Sequence, residues 1–150
     1  MDAMHLVVHK IKEAWRRKKA ASILFLNIQA AFSSTAKEQL FHNMRSRQVP
    51  SIYINLFEHM LSNHQTQIHF NDFMSDPISI TIGTTQGCTL SMLLYTIYNA
   101  DLVDIAKGKS EVSTGFVDDC TFIVTGDTLE ATHQILKNMM EHPGGGLDWS

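Results

Sequence analysis

Between Thr114 and Val124 two short runs of β-branched and aromatic residues flank the adjacent carboxylates Asp118 and Asp119, in the stretch Thr114-Gly115-Phe116-Val117-Asp118-Asp119-Cys120-Thr121-Phe122-Ile123-Val124. This pattern predicts an antiparallel hairpin with both Asp residues at or beside its tight turn. Like charges side by side repel, so a hairpin tip carrying them is favoured in water or beside a cation. A hard divalent ion with oxygen ligands is the natural partner. Asp is also simply a good turn residue, and at this level both readings stand.

A chain of 150 residues is expected to form one domain around a single core. Its 44% hydrophobic and 18% charged residues describe a globular chain, neither disordered nor fibrous. The net charge of −3 gives no global nucleic-acid footprint, so any basic surface must be local. Cys88 and Cys120 are far apart and lack paired spacing, which suits a reducing compartment better than a disulfide framework. No apolar run approaches membrane-spanning length and no signal-peptide pattern opens the chain. The expectation is a soluble intracellular protein with no membrane partner, nuclear or cytoplasmic being open.

In chain order, Ala3 to Lys19 reads as a helix with Met4, Val7, Val8, Ile11 and Trp15 inward. It ends in Arg16-Arg17-Lys18-Lys19, cations suited either to the helix dipole or to phosphate contact. Ser22 to Ile28 is a continuous apolar run, as in a central strand covered on both faces. Its anomaly, Asn27, must be hydrogen-bonded or face a cleft. Helices are expected from about Thr35 to Arg47, with Leu40, Phe41 and Met44 inward, and from Ser51 to Leu61. The apolar stripe of the second is Ile52, Tyr53, Leu56, Phe57, Met60 and Leu61.

From Gln65 the period becomes two, predicting a hairpin of residues 66–70 and 78–82 with a turn at Asn71-Asp72 and Pro77 at a strand start. Gly83-Thr84-Thr85-Gln86-Gly87-Cys88-Thr89-Leu90-Ser91 is a Gly-flanked polar loop ahead of a helix expected over Thr89 to Ala106. Such a loop can approach a phosphate or sugar closely, or serve only as a connector. Asp127 or Thr128 is expected to cap a last helix with Leu129, Thr132, Ile135, Leu136, Met139 and Met140 inward, ended by Pro143-Gly144-Gly145-Gly146.

This order of elements resembles the palm domain of reverse transcriptases, most closely those of non-LTR (LINE-like) retrotransposons. Leu24-Phe25-Leu26-Asn27-Ile28-Gln29-Ala30-Ala31-Phe32 looks like the family's first metal-binding motif, F-L-D-I-x-x-A-F. Gly83 to Ser91 is similar to G-x-P-Q-G-x-P-L-S, and Phe116-Val117-Asp118-Asp119 to the F/Y-x-D-D box. Tyr98-Asn99-Ala100-Asp101-Leu102 is also family-like. The resemblance implies an α+β polymerase palm, an antiparallel sheet with helices packed on one face.

It also implies RNA-directed DNA polymerase activity by two-metal nucleotidyl transfer, with Mg²⁺ or Mn²⁺, an RNA template, a DNA primer and deoxynucleotides. Asp118 and Asp119 would hold the metal, with Asn27 as the third catalytic position. Phe32 would stack under the incoming sugar and exclude a 2′-hydroxyl. Gln86, Gly87 and Ser91 would line the nucleotide and template.

Three departures qualify these expectations. Asn27 stands where the family has Asp, leaving two carboxylates instead of three. Thr85 and Thr89 replace two prolines. Nothing resembles the fingers, the thumb or an endonuclease. The expectation is a degenerate palm that binds metal weakly and is inactive alone, the alternative being a non-catalytic palm-fold module that binds nucleic acid or protein.

Overall fold

A computed structural model describes residues 3–84 and 87–141. In chain order its elements are α1 (Ala3–Arg16), β1 (Ala20–Asn27), α2 (Lys37–Ser46), α3 (Ser51–Leu61), β2 (Gln65–Thr66), β3 (His69–Phe70), β4 (Phe73–Met74) and β5 (Ile78–Ser79). Then follow α4 (Thr89–Tyr98), α5 (Ala100–Val103), β6 (Glu111–Phe116), β7 (Asp119–Gly126) and α6 (Leu129–Glu141). They divide into two compact units: residues 1–29 with 99–150, and residues 30–98.

The first unit is an antiparallel sheet in the order β1-β7-β6. The hairpin expected around the aspartates is β6–β7, and β1 pairs with β7 along its whole length, from Ala20 opposite Gly126 to Asn27 opposite Asp119. Alternation sends Leu24, Leu26, Cys120, Phe122 and Val124 to one face. There they form a core with Leu102 of α5 and Ile135, Leu136 and Met139 of α6. A buried hydroxyl pair, Ser22 Oγ to Thr132 Oγ1 at 2.6 Å, ties α6 to β1. Thr128 caps α6, its Oγ1 accepting from the Ala131 amide at 3.1 Å. The α+β class with an antiparallel sheet holds as expected. Helices on one face describes α5 and α6, while α1 adds contacts to all three strands through a side that buries Val7 and Ala14.

Four expectations for this unit need correction. β1 is an edge strand and β7 the central one, so the apolar run of β1 is not covered on both faces: Phe25 is 64% exposed. α1 stops at Arg16 because the Lys19 amide donates to the Ala14 carbonyl and the Lys18 amide to Trp15, with Lys18 at φ +55°. This is the Schellman pattern of helix endings. The same register turns Met4 and Trp15 outward, so neither is core. Leu129, expected inward on α6, is exposed as well.

The second unit packs α2, α3 and α4 around Leu40, Met44, Ile54, Phe57, Leu61 and Leu94. α2 runs from Lys37 to Ser46, since Thr35 bonds back to the Ala31 carbonyl at 2.9 Å instead of entering the helix. α3 has its expected bounds but a different inner face. Ile54, Phe57 and Leu61 are buried, whereas Ile52, Tyr53 and Leu56 are exposed. A helix that is apolar nearly all round lets packing, not periodicity, choose the side. The expected hairpin breaks into two short ladders, β2–β5 and β3–β4, with Asn71 and Asp72 at the inner turn and Pro77 just before β5. The helix expected over Thr89–Ala106 ends at Tyr98, with Asn99 leading into the short α5, and Leu90 and Leu93 are exposed.

Candidate functional site

The carboxylates lie where β6 turns into β7. Phe116 pairs with Asp119, which leaves Val117 and Asp118 as the two central turn residues. Val117 has φ +58°, and Asp118 is not in the left-handed region. A positive φ at the first central residue alone is the type II′ pattern, which normally takes Gly there. A β-branched side chain in this conformation is strained by about 1–3 kcal/mol, so the surroundings must impose it.

Asn99 supplies part of that constraint. Its side chain is buried, and Nδ2 donates to the Val117 carbonyl at 3.2 Å and to Cys120 Sγ at 3.1 Å. One amide group therefore grips the residues just before and just after the aspartate pair. Sequence reasoning noted the stretch Tyr98–Leu102 but gave Asn99 no role. The available signal was an amide inside an otherwise apolar helical run, which must find buried partners. Burial pushes the Cys120 thiol up from its ordinary range; Asp119 and Asp118 add to this and the Asn99 bond opposes it.

Asn27, the last residue of β1, is the cross-strand partner of Asp119. Such pairs hold their Cβ atoms about 4.5–5.5 Å apart on one face. The next amide, that of Ile28, donates to the Asp118 carbonyl at 3.2 Å. β1 and the hairpin thus bring Asn27, Asp118 and Asp119 to one end of the sheet although 91 residues separate Asn27 from Asp118. Asn27 and Asp119 are exposed and Asp118 is half-buried. Asn27 and Asp119 also line a cleft of about 350 Å³ beside the exposed rings of Phe25 and Phe116.

Oxygen donors only, two of them anionic, suit a hard divalent cation better than a soft one. Among the described residues no group of three or more His, Cys, Asp or Glu is placed to hold a metal.

The remaining expected site residues belong to the second unit. Phe32 is half-buried, its ring 5.5 Å from that of the buried Tyr95 and tilted by 48°. Its carbonyl accepts from the Thr84 amide at 2.8 Å, and the Gly83 amide reaches the Thr35 carbonyl at 2.9 Å. Gly83 has φ +92°, and a Cβ there would stand 2.8 Å from the Ser33 carbonyl oxygen, so only glycine allows this approach. The Phe32 turn and the start of the Gln-Gly loop are thereby fastened together. Gly87 is exposed with φ +85° and open space around it. Ser91 is buried, and its hydroxyl has no hydrogen-bond partner among the described residues. Gln86 lies outside the described residues.

The antiparallel sheet, the helices at its face and the acidic hairpin beside the end of β1 define an α+β domain of the polymerase-palm type. The chain belongs to the reverse transcriptase (RNA-dependent DNA polymerase) family, whose profile matches residues 1–144. It is 29% identical over 126 residues, 79% of its length, to a probable RNA-directed DNA polymerase from transposon X-element of Drosophila melanogaster. It is 24% identical over 156 aligned positions, covering 99% of the chain, to the RNA-directed DNA polymerase from mobile element jockey of Drosophila funebris. A probable RNA-directed DNA polymerase from transposon BS of Drosophila melanogaster is 24% identical over 132 residues, 85% of the chain.

These matches bear out the resemblance to reverse transcriptases of mobile elements drawn from the three motifs. The chain spans only 13%, 17% and 14% of the length of these curated relatives, in the same order. The activity that the family's description names, RNA-dependent DNA polymerase, is that of these longer relatives. Among the described residues no helix is long and apolar enough to cross a membrane.

Proposed function

We propose that this chain is the palm segment of an RNA-directed DNA polymerase from a non-LTR retrotransposon, and that by itself it is catalytically silent. The observation that carries the reading is the register of β1 on β7, which sets Asn27 opposite Asp119 and next to Asp118. In this reading Asp118 and Asp119 hold Mg²⁺ or Mn²⁺, and Asn27 occupies the third position. The bound metal supplies charge stabilisation to the attacking and leaving oxygens of nucleotidyl transfer. Asn27 lends an amide oxygen but no charge, so the donor set carries two negative charges where the family motif supplies three.

Phe32 takes the role of a sugar-stacking gate for deoxynucleotides, supported by its partial exposure and by the Tyr95 ring that backs it. Gln86, Gly87 and Ser91 are assigned to the nucleotide and template. The burial of Ser91 favours a supporting role at the helix start over direct contact. RNA template and DNA primer are the partners this assignment requires.

Calorimetric titration with Mn²⁺ tests the reading. The wild-type chain should bind weakly and Asn27→Asp more tightly, because a third carboxylate at short range strengthens attraction to a divalent ion. Equal affinities would remove Asn27 from the metal position and overturn the assignment. On a poly(rA)–oligo(dT) substrate the chain alone should give no magnesium-dependent incorporation, since positioning and charge stabilisation are both incomplete.

A further inference from the structure

The end of the sheet remote from the carboxylates holds a second concentration of charge. α1, the turn after it, the loop before β6 and a face of β6 and β7 line a cleft of about 330 Å³. Lys10, Arg17, Lys19 and Lys109 line it against a single acid, Glu13, leaving three positive charges in a chain whose net charge is −3. Thr125 on its wall lies six residue steps along β7 from Asp119, roughly 20 Å along a strand.

The backbone fixes these cations in place. The left-handed Lys18 ends α1 so that Arg17 and Lys19 both reach the cleft. Glu111 accepts from the amides of Lys107 and Gly108, at 3.1 and 2.8 Å, and so folds the loop that carries Lys109. The Thr125 amide donates to the Ser110 carbonyl at 2.9 Å, holding Ser110 at the cleft edge with its hydroxyl available as a donor.

Glu13 pairs with Lys10 at 3.2 Å and Arg17 at 2.8 Å, which spaces those two cations on the helix. Lys19 meets Asp127 only at 3.5 Å, and that carboxylate is 88% exposed, so the pair is largely screened. No ion pair engages Lys109 among the described residues.

We propose that this cleft binds a backbone phosphate of a nucleic-acid strand, a contact separate from the carboxylate end of the sheet. Clustered Lys and Arg with a hydroxyl donor match a phosphodiester, and such contacts position a strand without reading its sequence. The cleft is open to solvent on a surface built from a helix end and two loops, which lets a continuous chain pass across it. The proposal does not depend on metal binding at Asp118 and Asp119.

The test is fluorescence anisotropy of labelled oligo(dT), about 20 nucleotides long, in EDTA across a salt series of about 50 to 200 mM. Lys19→Glu/Lys109→Glu should weaken binding about tenfold more than Lys12→Glu/Lys137→Glu, which makes the same charge change outside the cleft. Its salt slope should fall by about 0.7, the contribution of one single-strand phosphate contact. Equal losses in the two double variants, or none in either, would overturn the proposal. Displacement of the oligonucleotide by an equimolar amount of inorganic phosphate would also overturn it, marking a free-anion site. Lys19→Gln/Lys109→Gln repeats the comparison without charge reversal, so a folding defect in the first variant does not decide the outcome. EDTA keeps this result independent of the Mn²⁺ titration that tests the carboxylates.

Discussion

The Asn99 side chain donates to the carbonyl of Val117 at 3.2 Å, and the same nitrogen reaches Cys120 Sγ at 3.1 Å. A buried amide just ahead of the short α5 thus sets the height of the turn that carries Asp118 and Asp119. It acts through the backbone and touches neither carboxylate in these bonds, which makes it a positioning residue.

Asn99→Ala should cost about 1–3 kcal/mol, because it strands a carbonyl that β pairing does not satisfy. The loss should appear as a lower urea midpoint with an unchanged slope. Mn²⁺ affinity should fall too, with Asn99→Gln giving less rescue than a return to Asn, since the longer side chain overshoots both acceptors. A stable Asn99→Ala protein with wild-type metal affinity would remove the positioning role.

Val117 at φ +58° offers a sharper contrast. Val117→Gly should be close to neutral or stabilising, since relief of left-handed strain, about 1–2 kcal/mol, offsets the backbone entropy glycine brings. Val112→Gly, the same chemical change in the paired body of β6 at ordinary φ, has no strain to relieve and should destabilise the protein. Thermal melts of the two variants decide this; equal losses would mean that the turn holds no strain worth relieving.

The two cysteines should separate by reactivity. Cys120 is 1% exposed and its thiol is pushed up by burial, so at neutral to mildly alkaline pH it stays protonated and shielded. Cys88 is partly exposed at the loop before α4. A thiol-reactive disulfide reagent should therefore label one cysteine per native chain, at Cys88, and two after denaturation. A raised thiol value means that increasing pH opens Cys120 to reaction later than an ordinary cysteine. Rapid native labelling at both would show that the hairpin opens readily.

The hairpin was legible because its signal is local: alternating apolar residues on either side of two turn-forming acids. The three motifs were also legible in order, which carried the family and the α+β class. What was not legible depends on partners distant in sequence. Val117 gives no sign of its left-handed backbone, since pairing on both sides and Asn99 together impose it. β1 reads as central because Phe25 completes an apolar run, yet that ring stands open beside the cleft instead of under a covering layer. In α3, and at Trp15 of α1, helical periodicity offers more apolar residues than the core can accept, and packing alone selects among them. Asn99 breaks the expected long helix because its side chain finds buried acceptors on the hairpin, a gain no helix-internal pattern announces.

The register also predicts how the carboxylate end responds to one added charge. Asn27→Asp places a new carboxylate directly across from Asp119 and beside Asp118. Without metal, like charges in a cross-strand pair are destabilising, by about 0.2–1 kcal/mol at an exposed site. For a chain of this size that corresponds to a melting temperature lower by about 1–4 °C at neutral pH. Mn²⁺ should reverse the sign of this shift, because a ligand that binds the folded state more tightly stabilises it more. Differential scanning calorimetry of both forms, with EDTA and with Mn²⁺ at neutral pH, provides the check. A variant that melts with the wild type in EDTA and gains nothing from Mn²⁺ would show that Asn27 does not share a site with the two aspartates.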